Sequence, residues 1–299
     1  MKPKVIGIGE LLWDVLPAGP RMGGAPANFA CHAAALGADA AVISRVGADE
    51  SGERLIALLS ERGVSTEGII PDPDHPTGTV NVKLDAAGHP DYEIVPDVAW
   101  DHIIVTPSLA RLVGNADAVC FGTLGQRDPA SRETIRRLLE SAPANALKIF
   151  DVNFRQAFFD QAAITSSLEL ATVCKLSDEE LPVLSGMLDF SGGVRAQLEQ
   201  LRSRFHLDLV VYTRGAMGSV LASGSEWIEQ PAVSTTVRDT VGAGDSFTAA
   251  VTMGLILGWP LERIAKSASR IAAYVCSQDG AVPALPDTLR GDFLSEITP

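Results

Sequence analysis

Asp239-Thr240-Val241-Gly242-Ala243-Gly244-Asp245, followed at once by Ser246-Phe247-Thr248-Ala249-Ala250-Val251, reads as a glycine turn that opens a helix. Gly242 and Gly244 carry no Cβ, so the backbone there can approach a ligand closely. The first N–H groups of the helix lack internal partners and carry the positive end of its dipole. Such a turn is a ready anion site. Asp245 stands at its mouth, where a carboxylate would repel an anion and so needs a reason to be present. General-base chemistry supplies one: Asp245 is placed to take a proton from a hydroxyl that attacks phosphorus. Taken alone, a Gly-x-Gly-Asp is more often an ordinary cap and turn.

A second glycine turn lies far upstream. Gly23-Gly24-Ala25-Pro26-Ala27-Asn28-Phe29-Ala30 leads into the alanine-rich Cys31–Leu36 and stops at Gly37, the pattern of a helix closed by a glycine. Asn28 is either a surface polar residue of the first turn or a donor and acceptor aimed at a ligand. Before it, Val5-Ile6-Gly7-Ile8-Gly9-Glu10-Leu11-Leu12-Trp13-Asp14 reads as one apolar strand ending in an acid. Ligands of open α/β sheets sit beyond the carboxyl ends of strands, so Asp14 is placed to accept hydrogen bonds from a polyol.

Between the two turns the chain alternates strand and helix. Strands are expected over 41–46, 118–121, 147–152, 172–176 and 209–213. Helices are expected over 51–62, 129–141, 178–184, 193–205, 244–257 and 261–277. This rhythm predicts a three-layer α/β/α sandwich with a mostly parallel central sheet. Residues 78–95 break it. Their alternation around Ala87-Gly88 predicts an antiparallel hairpin, a candidate lid.

With 299 residues, 46% hydrophobic and 20% charged, the chain can bury a large core. A formal charge of −13 argues against nucleic acid or an anionic membrane as partner. Four scattered cysteines without a Cys-x-x-Cys suit a reduced, cytoplasmic protein. No apolar run is long enough to span a bilayer, and Met1-Lys2-Pro3-Lys4 does not resemble a signal peptide.

The two turns together, Gly23-Gly24-x-x-x-Asn28 and Asp239-Thr240-x-Gly242-Ala243-Gly244-Asp245, resemble the signatures of the ribokinase-like, or phosphofructokinase B, carbohydrate kinases. The resemblance covers nearly the whole chain. Gly9-Glu10-x-x-x-Asp14, Thr77-Gly78-Thr79-Val80 and Asp151-Val152-Asn153-Phe154-Arg155 look most like bacterial fructokinases.

The resemblance implies ATP-dependent phosphorylation of a primary sugar hydroxyl, fructose first, with ribose and 2-keto-3-deoxygluconate as alternatives and a non-catalytic sugar-binding regulator as a further one. It implies Asp245 as base and the amides of Gly242, Ala243 and Gly244 as anion hole. Asp14, Gly23, Gly24, Asn28 and Arg155 would bind the acceptor. Lys175, Thr213, Arg214, Gly215, Gly218 and Ser269 would serve ATP. Glu180 would serve Mg²⁺, although Ser177 stands where the family has Asn. Asp239, Val241 and Gly280 would hold a monovalent cation such as K⁺. A lid built mainly from about 10–22 and 77–100 would cover the sugar and join two chains in a homodimer, with Asn81, Lys83 and Tyr92 choosing the acceptor.

Two simpler readings compete for particular residues. Arg155 is equally suited to a surface pair with Asp160, and Trp13 and Trp100 are better suited to packing than to stacking on a sugar. A dinucleotide oxidoreductase is disfavoured, because Leu12 stands where the third glycine after Gly7-x-Gly9 is needed. No Gly-x-x-x-x-Gly-Lys-Ser/Thr is present, so the phosphate cradle is not a P-loop.

Overall fold

The computed structural model describes residues 2–17, 19–84 and 90–297, with the side chains of 82–84 and 90–92 left aside. In chain order the elements are β1 (Lys4–Ile8), β2 (Leu12–Leu16), β3 (Gly19–Gly23), α1 (Ala25–Ala35), β4 (Asp39–Gly47), α2 (Glu50–Glu61) and β5 (Ile69–Asp72). Next come β6 (Gly78–Leu84), β7 (Pro90–Ile94), α3 (Pro107–Val113), β8 (Ala118–Gly122), α4 (Pro129–Glu140), β9 (Leu147–Asp151), α5 (Gln161–Leu170) and β10 (Val173–Ser177). The last group is α6 (Glu180–Leu188), α7 (Val194–Arg204), β11 (Leu209–Thr213), β12 (Ser219–Ser223), β13 (Trp227–Gln230), α8 (Ala243–Ile256), α9 (Leu261–Cys276) and α10 (Asp287–Ile297).

Among the described residues, one sheet runs in the order β13-β12-β11-β10-β9-β8-β1-β4-β5 and a second in the order β3-β2-β6-β7. The large sheet is parallel from β5 to β11 and turns antiparallel only at the β12 and β13 edge. It carries helices on both faces, which is the three-layer, ribokinase-like sandwich that the alternation and the resemblance both implied. Strands buried on two sides should be apolar almost throughout, and β8 (Ala118-Val119-Cys120-Phe121-Gly122) is buried at every position. One face packs on α1, α2, α8, α9 and α10 through Phe29, Leu55, Met253, Ile264 and Phe293. The other packs on α3–α7 through Leu109, Ile135, Ile164, Leu184 and Leu198. Each such fully buried side chain contributes about 1.5–3 kcal/mol.

Two details depart from the sequence reading. The run from Val5 to Asp14 is not one strand. It breaks at Gly9 (φ 144), with β1 in the large sheet and β2 in the small one. Asp14 therefore lies in the middle of a small-sheet strand, opposite Arg21 of β3, and not at the end of a core strand. The sequence reading also passed over β3, β5, β13, α3, α5 and α10. The hairpin over 78–95 is present as β6 and β7, paired antiparallel, while its expected turn at Ala87-Gly88 lies outside the described residues.

β1 is the switch point of the large sheet: β4 follows on one side and β8 on the other. Crevices in open α/β sheets form at such points, beyond the carboxyl ends of the strands. The small sheet stands beside this crevice, seated on Leu12, Val80, Ile94, Val98, Trp100 and Leu124. Both tryptophans serve packing. Trp100 is fully buried beneath the Arg127 guanidinium, and Trp13 is 5% exposed and donates its indole N–H to the Ser51 carbonyl.

Candidate active site

α1 and α8 begin at the crevice, and their starts explain the glycines. Gly24 caps α1 with φ 110, and a Cβ there would overlap the Glu10 carbonyl oxygen. A Cβ on Gly23 would overlap the Asp14 carboxylate, so the first glycine makes room for the acid. Gly242 caps α8 in the left-handed region (φ 78), and a Cβ there would overlap the Ala281 carbonyl. Both turns therefore require glycine for backbone reasons.

The two helices meet through side chains. Asn28 donates from Nδ2 to Asp245 Oδ2 at 2.8 Å. Asn28 is 4% exposed and its Oδ1 has no protein partner, so the surface-polar reading fails. One turn further along α1, His32 contacts the Ala281 carbonyl through Nε2 at 2.9 Å, and burial pulls its pKa down to about 4. The neutral ring thus donates at physiological pH and holds the 280–281 turn against the Gly242 loop. Asp239 ties the same two segments. Its carboxylate accepts from Val241 N–H at 3.0 Å and Gly280 N–H at 3.1 Å, with Arg21 of the small sheet 3.8 Å away.

Asp245 sits in the first turn of α8. Burial, reinforced by the charge of Asp151, raises its pKa to about 6, while the Asn28 bond, Lys175 and Arg155 oppose the rise. A carboxyl raised this far is still ionised at neutral pH and is more basic than an ordinary aspartate. Beneath the turn, Lys175 Nζ lies 3.0 Å from Asp151 Oδ1, and Thr248 Oγ1 lies 3.1 Å from Asp151 Oδ2. Burial alone would lower the Lys175 pKa; the charges of Asp151 and Glu180 reverse this and hold it above its ordinary range. A Cβ on Gly244 would come within 3.1 Å of Lys175 Nζ, which puts the ammonium directly under the glycine turn.

Across the crevice the acids cluster. Asp14 is raised to about 6 by burial and is held back by Arg155. Glu10, 3% exposed, accepts from the Ala25 N–H at 3.2 Å through Oε1, and its Oε2 has no partner. Burial lifts Glu10 to about 7, against its backbone bonds and Arg155. Arg155 itself is exposed, bonds to the Phe154 carbonyl and acts on Glu10, Asp14 and Asp245. Its expected surface partner does not face it: Asp160 caps α5 and pairs with Arg132 at 2.8 Å.

Glu180 starts α6 with both oxygens engaged, Oε1 accepting from Phe154 N–H (3.0 Å) and Oε2 from Ser177 N–H (2.7 Å). Ser177 returns the contact through Oγ to Glu180 N–H at 3.3 Å, the reciprocal pattern of a capping box, although the formal cap is Glu179. Thr213 ends β11. Arg214 lies 3.9 Å from Glu229, and a Cβ on Gly218 (φ 84) would overlap the Gln230 carbonyl; Gly215 also has positive φ (51). Ser269 is buried on α9, and Val241 is 50% exposed at the rim of the α8 turn. In β6, Asn81 is half-buried, while the side chains of Lys83 and Tyr92 lie outside the described residues.

The structure thus brings Asp14, Asn28, Arg155 and Asp245 to one crevice. Glu10, Arg21, His32 and Thr248 join it without having been singled out as site residues. Glu10 did carry a signal, an acid inside an otherwise apolar run.

A glycine-capped helix start beside a carboxylate of raised pKa, at the switch point of a parallel sheet, is the arrangement a phosphotransferase site would need on a three-layer α/β/α scaffold. The chain belongs to the pfkB family of carbohydrate kinases, whose model matches residues 19–288. It is similar to an uncharacterized sugar kinase of Pyrococcus horikoshii, with a TM-score of 0.83 at 29% identity over 98% of both chains, and that enzyme has also been solved with ATP. It is 30% identical to a fructokinase of Vibrio alginolyticus, covering 93% of this chain and 94% of the relative. A fructokinase from Vibrio cholerae O395, solved with fructose, ADP and calcium ion, superposes with a TM-score of 0.81 at 25% identity over 98% and 99% of the two chains.

Proposed function

We propose that the protein transfers the γ-phosphoryl group of ATP to a primary hydroxyl of a sugar, with fructose as acceptor and fructose 6-phosphate as product. The observation that carries this reading is the Asn28–Asp245 bond, which fixes an ionised, unusually basic carboxylate at the mouth of the glycine turn. The fructokinase relatives favour fructose over ribose or 2-keto-3-deoxygluconate.

In this reading Asp14 and Asn28 orient the acceptor hydroxyls, with Gly23 and Gly24 giving them room, and Arg155 meets the transferring group as a charge-assisted donor. Asp245 takes the hydroxyl proton as oxygen attacks phosphorus in line. The amides of Gly242, Ala243 and Gly244 stabilise charge on the transferring oxygens. Lys175 supports that hole from below and does not present a free ammonium, since it is paired with Asp151. Thr213, Arg214, Gly215 and Gly218 lie along the nucleotide, with Ser269 toward its base. Mg²⁺, held through water by Glu180, would neutralise phosphate charge; both Glu180 oxygens already accept backbone bonds, which suits an outer position. K⁺ would sit by Asp239, Val241 and Gly280, where Asp239 already joins the two turns.

The domain is a single unit with a lid built mainly from about 10–22 and 77–100. Two chains pair through that lid, whose sheet ends in the edge strands β3 and β7. All four cysteines are unpaired, and no helix among the described residues is long and apolar enough to cross a membrane; both suit a cytoplasmic enzyme.

The test is ADP release from Mg·ATP with a panel of sugars, with and without K⁺, for the wild type and Asp245→Asn. Fructose turnover with a loss on the order of a hundredfold or more in the variant is expected. Turnover with another sugar alone would replace the acceptor, and an undiminished Asp245→Asn would remove the base.

A further inference from the structure

The β6–β7 half of the small sheet is joined to the body by two connectors, 73–77 leading into β6 and 95–98 leaving β7. Among the described residues, the group able to hold a metal ion lies on these connectors: His75 on the first, Asp97 on the second, and His102 just beyond it. None of the three belongs to the crevice.

The imidazoles of His75 and His102 are stacked, with centroids 3.6 Å apart and planes 19° apart. Both turn a ring nitrogen to one carboxylate oxygen. His102 Nε2 is 2.9 Å from Asp97 Oδ1, and His75 Nε2 is 3.7 Å from the same atom. All three candidate ligand atoms lie within 4.8 Å of one another. Bonds of about 2.0–2.1 Å in a tetrahedron require ligand atoms roughly 3.3 Å apart, with the ion in the plane of each ring, so seating an ion requires the two stacked imidazoles to tilt until their nitrogens converge.

The surroundings resemble the support that metal-bound histidines receive. His75 Nδ1 lies 3.1 Å from Asp72 Oδ2, and Asp72, 2% exposed, is itself held by Arg45 at 2.9 Å. A carboxylate accepting from Nδ1–H fixes the tautomer and points the Nε2 lone pair outward, at the shared oxygen. Asp97 is in the left-handed region (φ 55), and its side chain is 78% exposed, so the third ligand is free to move and the site is open to solvent. Arg45 is the nearby cation, and its guanidinium is taken up by Asp72 and the His102 carbonyl.

We infer that His75, Asp97 and His102 form a surface site for a divalent first-row transition ion such as Zn²⁺, Co²⁺ or Ni²⁺, which joins the two connectors of the β6–β7 half of the small sheet. Imidazole and carboxylate donors suit these ions, and three protein ligands leave a coordination position for water. An ion bound here ties residues 22 positions apart in sequence (75 and 97) across the base of the small sheet. Whatever binds the folded form preferentially stabilises it, so occupancy raises the melting temperature.

The test is calorimetric titration of the nucleotide-free protein with ZnCl₂, in a buffer without phosphate, alongside Asp97→Asn and His75→Ala/His102→Ala. Asn keeps the left-handed conformation accessible at an exposed position, so the Asp97→Asn chain should fold unchanged. The expected result is one submillimolar Zn²⁺ per chain, weakened about tenfold or more in Asp97→Asn and abolished in the double variant. A Co²⁺ adduct of the wild type should show visible ligand-field bands that the double variant lacks. Saturable binding that is identical in all three proteins, or no saturable submillimolar binding by the wild type, would overturn the site. Sugar kinase activity enters neither readout.

Discussion

Glu10 shows how far the environment can move one side chain. Its pKa is raised by burial to about 7, from 4.5 in the unfolded chain. The folded state therefore binds this proton more tightly than the unfolded state does. Below about pH 4.5 both states are protonated and Glu10 costs nothing. Between that pH and about 7 a penalty develops, and above 7 it is complete. Glu10→Gln keeps an acceptor for the Ala25 N–H and removes the buried charge. It is expected to raise the melting temperature at pH 8 and to leave it nearly unchanged at pH 4.5, measured by scanning calorimetry. The same gain at both values would show that charge is not the cause.

A glycine turn is legible in sequence because its constraint is local: Gly24 and Gly242 have positive φ, and a backbone carbonyl stands where a Cβ would fall. The company each turn keeps is not local. Nothing near Asn28 announces that its amide will bond a carboxylate 217 residues away. The break between β1 and β2 was hidden for the opposite reason, since Leu11, Leu12 and Trp13 continue the apolar run although they change sheets. The anchoring of the small sheet likewise depends on pairing between distant segments. Asp49 caps α2 through the Gly52 N–H (2.8 Å) and also accepts from Thr77 N–H (2.9 Å) and Thr77 Oγ1 (2.7 Å) at the start of β6. These bonds, outweighing its burial, hold the Asp49 pKa below its usual value, so its stabilisation is present above about pH 4 and fades as pH falls through the folded value. Asp49→Ala is expected to cost about 1–2 kcal/mol for the cap alone, and more with Thr77 released, as read from urea denaturation at pH 7. A loss under about 0.5 kcal/mol, the range of ordinary surface substitutions, would mean the anchor is idle.

At the scale of the whole molecule, the small sheet ends, among the described residues, in the edge strands β3 and β7. Proteins cover or blunt such edges, and a second copy is one way to do so. Light scattering at micromolar concentration is expected to give twice the mass of 31.5 kDa; a mass equal to one chain would rule the pairing out. In the proposed reaction the net charge of −13 makes the general field unfavourable to ATP, and attraction would have to be supplied locally, by the α8 turn, Arg155 and bound cations.

The long reach of the Asn28–Asp245 bond also has a meaning in time. A ribosome completes the turn that opens α1 long before it adds Asp245, 217 residues after Asn28, and the Ala281 carbonyl that receives His32 comes later still. No nascent chain short of that point carries the assembled crevice.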